Sequence, residues 1–137
     1  MSDEQLLVIF DGTCGFCTWC VRWLRRRDHA GRVLALPSQA PGLAERQGLT
    51  QADVDHAAWA IEPGGRRFRG AAAVNRALAE LPGPWKRLAG LYRLPPVRWA
   101  EDAAYIAVAR SRPWLSSLTR TAPECDEPGI DCAQAAP

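Results

Sequence analysis

A chain of 137 residues with 47% apolar content has room for one buried core, and its 23% charged fraction and pI near 8.4 fit an ordinary folded domain. Acids at Asp3 and Glu4, where an export signal needs bases, and the lack of any apolar run near the ~18 residues a membrane span needs predict a cytoplasmic protein. The formal net charge of +2 selects no partner, and the odd cysteine count of five argues against a fully paired extracellular framework.

Leu6-Leu7-Val8-Ile9-Phe10 is a continuous apolar run closed by Asp11-Gly12, which predicts a buried strand ending in a turn. A helix should follow, capped by Thr13, with Phe16, Cys17, Cys20, Trp23 and Leu24 on its apolar face. Arg25-Arg26-Arg27 would close it, where cations complement the helix dipole. Val33-Leu34-Ala35-Leu36 predicts a second strand, stopped by Pro37. A modest helix is expected over Ala40 to Gln47, and a strand over Ala57 to Ile61. The turn signal Pro63-Gly64-Gly65 should fold Arg66-Arg67-Phe68-Arg69 back as a hairpin.

After Gly70, Val74, Ala77, Leu78 and Leu81 make one helical face, broken by Pro82-Gly83-Pro84. Two further helices are predicted, about 84–92 and 96–110, with Trp85, Leu88 and Trp99 at core positions and basic residues on solvent faces. Little regular structure is expected beyond Pro113. All 17 Lys and Arg lie in 1–120, whereas 121–137 holds four acids, so a flexible acidic tail is expected after a domain of 1–120. The order β-α-β-α-β-β-α matches an α/β, thioredoxin-like mixed sheet with flanking helices and a C-terminal helical extension.

Cys14-Gly15-Phe16-Cys17 stands where the first strand meets the first helix. A thiol in a first helical turn faces free backbone N–H groups and the positive end of the dipole, which favour the thiolate. Cys14 is therefore the expected attacking sulfur, and Cys17, one turn further in, is expected to be less exposed, less ionised and the resolving thiol. Gly15 would let a substrate chain approach, beside Phe16. Asp11 has two open roles: capping N–H groups of the turn, or moving a proton to and from Cys17.

Asp11, Cys14 and Cys17 form an Asp-x-x-Cys-x-x-Cys motif, with Phe10-Asp11-Gly12 before it and Arg25-Arg26-Arg27-Asp28 after it. With Arg69-Gly70-Ala71-Ala72-Ala73, Gly83-Pro84-Trp85 and Ala109-Arg110-Ser111-Arg112-Pro113-Trp114, the chain resembles the DCC family of thiol–disulfide oxidoreductases over about residues 6–118. The resemblance implies a thioredoxin-like fold and dithiol–disulfide exchange with a protein or small thiol, fed by an unidentified electron donor, without a bound organic cofactor. Many enzymes of that fold receive substrate at a cis-proline before the third strand. Asp53-Val54-Asp55-His56 offers none, so Arg69 and Gly70 are the expected docking residues instead.

Rival readings exist. Cys14, Cys17 and Cys20 could be three ligands of a metal or iron–sulfur centre, with Cys125 or Cys132 as a fourth. Against this, a regular helix turns successive sulfurs by about 60° per step, which closes poorly around one cluster, and Cys20 reads more simply as a core thiol. Cys125 and Cys132 could pair, relay electrons, bind metal or do nothing. His29 and His56 lack ligand spacing and read as surface residues. The fold could also serve as a non-catalytic interaction module. The basic and aromatic residues Trp85, Lys86, Arg87, Tyr92, Arg93, Arg98 and Trp99 could suggest nucleic-acid or membrane-surface binding. Core positions for the tryptophans and scattered solvent-facing bases are the stronger reading of them; no nucleic acid and a single copy are expected.

Overall fold

The computed structural model describes residues 5–126. Four strands, β1 (Leu6–Phe10), β2 (Val33–Pro37), β3 (Trp59–Ile61) and β4 (Arg67–Arg69), form one sheet in the order β2-β1-β3-β4. β1 runs parallel to β2 and antiparallel to β3, and β3 is antiparallel to β4. The chain thus has the expected mixed, thioredoxin-like α/β plan, with β1 at the centre.

Alternation along β1 builds two cores. Leu6, Val8 and Phe10 pack with Val21 and Leu24 of α1 (Gly15–Arg27) and with Ala73 and Ala77 of α4 (Ala71–Leu78). Ile9 faces the opposite way, into Leu43 and Ala44 of α2 (Leu43–Arg46), Leu49, and Val54 of α3 (Gln51–His56). Burial of the apolar faces on both sides fixes the register, because a one-residue slip of β1 would exchange the two sets.

Several expectations need correction. Helix α3 was read only as a segment before a strand, although Thr50 and Asp53 form a reciprocal capping box that starts it. The inward stripe of α1 is Gly15, Thr18, Val21 and Leu24, one position round from the expected face, which leaves Cys17, Cys20 and Trp23 half-buried at its flank. Past α5 (Trp85–Gly90) and α6 (Pro95–Arg110), the chain forms another helix, α7 (Arg112–Thr119), where irregular structure was expected. Pro113 sits in its first turn, where the missing N–H has no intrahelical partner to lose. Leu88 and Trp99 are not core residues: they are 49% and 69% exposed, whereas Trp85 packs edge-on against Trp23.

The start of the acidic segment packs on α1. Glu124 is buried against Arg25, and its backbone N–H donates to the Thr18 hydroxyl at 3.0 Å. The N–H of Cys125 donates to the Gly12 carbonyl at 2.9 Å. Residues 121–126 therefore form a strap across the opening of α1. Cys132 lies outside the described residues.

Candidate active site: a dithiol at the opening of helix α1

The turn between β1 and α1 is held by Asp11. Its Oδ1 accepts from the Thr13 N–H at 2.9 Å, the Thr13 hydroxyl at 2.6 Å and the Gln39 amide at 2.9 Å. That arrangement fits the capping role for Asp11. The helix cap itself is Cys14, not Thr13: the Cys14 sulfur accepts from the Cys17 N–H at 3.2 Å, and its carbonyl accepts from Thr18.

Cys14 is 8% exposed and Cys17 half-buried, so the leading cysteine is the more covered of the two, contrary to expectation. Its cover is α7, which lies along the start of α1. The Ser116 hydroxyl stands 3.8 Å from the Cys14 sulfur and accepts from the Phe16 N–H at 3.1 Å.

Ionisation is divided between the thiols. The Cys17 thiol hydrogen-bonds to the Cys14 sulfur, and this is the main reason the Cys14 thiol drops from 9.0 to about 6. Burial opposes the drop, the Cys17 N–H and Ser116 assist it, and the Asp11 charge works weakly against it. The same bond pushes Cys17 strongly upward, as do burial and the neighbouring Cys14 charge. Only Arg112, whose guanidinium hydrogen-bonds to the Cys17 sulfur, favours a Cys17 thiolate. Cys20 is pushed up to about 11, chiefly by burial. Among the described residues no three side chains of His, Cys, Asp or Glu gather as a metal site.

Arg112 also stands 3.6 Å from Asp11. Asp11, Cys14, Arg110, Arg112, Pro113 and Ser116 line a shallow cleft of about 390 Å³. The expected substrate residues are placed differently. The Thr121 carbonyl of the strap occupies the place where a Cβ on Gly15 would stand, so the close approach that Gly15 permits is filled by the chain itself. Phe16 stacks on Trp19. Arg69 is exposed over the Trp59 ring, and Gly70, at φ 64°, faces the Tyr105 ring; neither lines the cleft. The Tyr105 hydroxyl of α6 accepts from the Ala58 N–H at 3.0 Å and occupies the backbone just before β3. Sequence reasoning gave no role to Ser116 and placed Arg112 only within a motif. Their importance depends on α7, which the Pro-containing sequence concealed.

A thioredoxin-like sheet with two free, hydrogen-bonded thiols at the first turn of the helix after β1 defines a dithiol redox protein. The chain belongs to the DCC1-like thiol-disulfide oxidoreductase family, whose model matches residues 8–118. It is similar to "Uncharacterized protein YuxK" of Bacillus subtilis (strain 168), 29% identical over 119 residues covering 82% of this chain and 83% of the relative. No solved structure matches.

Proposed function

We propose that the protein reduces disulfides on protein or small-thiol substrates through Cys14 and Cys17. The Cys14 thiolate attacks a substrate disulfide; the substrate S–S bond breaks, one half leaves as a thiolate that takes up a proton, and the other is held as a mixed disulfide. Cys17 then loses its proton and attacks the Cys14 sulfur. That forms the Cys14–Cys17 disulfide and releases the second substrate thiolate, so the protein loses the two electrons that the substrate gains. A thiol donor reverses these steps to restore the dithiol.

The observation that carries this reading is the placement of the two sulfurs: the Cys14 sulfur caps α1 and accepts from the Cys17 N–H at 3.2 Å, and the bond between the thiols lowers Cys14 while holding Cys17 protonated. Attack consumes the Cys14 charge, which removes one of the causes raising Cys17 and leaves Arg112 to favour its thiolate. With α7 on one side and the strap on the other, a substrate disulfide reaches Cys14 from the Arg110–Pro113 side of the cleft.

The test is a Cys17→Ser variant incubated with oxidised glutathione and with a disulfide-bonded protein. Accumulation of a mixed disulfide at Cys14 is the expected result. Failure of either substrate to give an adduct at Cys14 would remove the enzyme reading.

A further inference from the structure

Helix α6 is built with its polar side inward. Glu101 accepts from the Asn75 amide at 3.1 Å, Asp102 accepts from the Tyr92 hydroxyl at 2.6 Å, and Tyr105 reaches Ala58. At 100° per residue, the remaining arc from Pro95 round to Val108 spans about 220° and holds only Pro, Ala, Val, Ile, Trp and one arginine, Arg110. It is open to solvent: Trp99 is 69% exposed and Ile106 52%, and Trp114 on α7 is 64% exposed. Single exposed apolar residues are ordinary, but a whole helix face is not.

We propose that this face docks on the surface of an anionic lipid bilayer. Charge argues for that occupant. Residues 84–120 carry seven Lys and Arg against two acids, and both acids are the inward-facing, hydrogen-bonded Glu101 and Asp102. The outward field is therefore positive, which suits anionic headgroups. Exposed tryptophans beside arginines match the interface between headgroups and acyl chains. Among the described residues no helix is long and apolar enough to cross a membrane, so α6 would lie on the surface. A protein groove reads a narrower stripe at i, i+3, i+4 and i+7, and a second copy placed symmetrically across this face would set Arg110 against its own equivalent.

The proposal stands apart from thiol exchange, since it uses no thiol. Its test is co-sedimentation of the full chain with phosphatidylcholine vesicles, with and without phosphatidylglycerol. Binding to the mixed vesicles, weakened by salt, is expected. The double variant Trp99→Asp/Ile106→Asp should lose it, and Arg110→Glu, on the same arc, should weaken it on the order of tenfold. Unchanged circular dichroism of each variant would show that the fold is intact. Absence of binding to mixed vesicles, or equal binding by both variants, would overturn the proposal. So would a dimer in sedimentation velocity that Trp99→Asp dissociates, because a second copy would then cover the face.

Discussion

The sheet and its first four helices bury their apolar side chains, whereas α6 and α7 turn theirs outward. In α1, Val21 and Leu24 face the sheet and the arginines face solvent; in α6, acids and a tyrosine face inward while Trp99 and Ile106 face out. Both regions show helical periodicity, so amphipathicity alone does not say which face a helix turns to its own domain. The difference also divides labour at the site. The framework supplies both sulfurs, and the later helices supply polar groups around them: Arg112 at Cys17 and Ser116 at Cys14.

That division can be broken or sharpened by substitution. Cys14→Ser, in the framework, should take disulfide reduction to background while leaving the thermal unfolding profile of the oxidant-free protein unchanged at about pH 5, below the Cys14 midpoint. Arg112→Ala, in the extension, should leave the first attack largely intact but slow resolution about tenfold, seen as a longer-lived mixed disulfide in rapid quench. Arg112→Lys should restore part of the rate, because it returns the charge without the planar guanidinium.

Glu124→Ala removes a carboxylate that is 3% exposed from an arginine that is 42% exposed. Partial solvent screening of Arg25 tempers the loss, so about 1–2 kcal/mol of stability should disappear in denaturant unfolding, with faster amide exchange over 121–126. Ser116→Ala should raise the Cys14 titration midpoint slightly and reduce its alkylation at pH 6 by about twofold, since Ser116 contributes less to the shift than the Cys17 thiol or its N–H. Trp99→Asp should change stability by less than about 0.5 kcal/mol, as for a surface site, in contrast to the inward residues of the same helix.

The two regions also differ in how much of them could be read from the sequence. β1, the β3–β4 hairpin and the dithiol position were legible, because a continuous apolar run, a Pro-Gly-Gly turn and a Cys-x-x-Cys at a strand–helix junction each reflect local physics. The face of α1 was misread by one position because Cys17, Cys20 and Trp23 look as apolar as the true inward residues Thr18 and Val21. Thr18 is buried because its hydroxyl is satisfied by the Cys14 carbonyl and the Glu124 N–H, a long-range arrangement. α7 was hidden because Pro113 looked like a stop, although in a first turn it is compatible with helix. Ser116 lies about a hundred residues from Cys14 in the chain, so no spacing rule could connect them.

Ionisation of Cys14 also couples redox state to stability. In the reduced protein its thiol is lowered from 9.0 to about 6, so the stabilisation is fully present above pH 9 and is lost as pH falls through 6. The stability difference between the reduced protein and Cys14→Ser should accordingly grow from pH 6 towards pH 9.

The most direct measurement is the pH dependence of iodoacetamide labelling of the reduced protein, with each modified cysteine located by peptide mass spectrometry. Cys14 should label first, with a rate that is half-maximal near pH 6. A midpoint near the ordinary thiol value of 9.0, or earlier labelling of Cys17, would contradict the assignment of the two sulfurs.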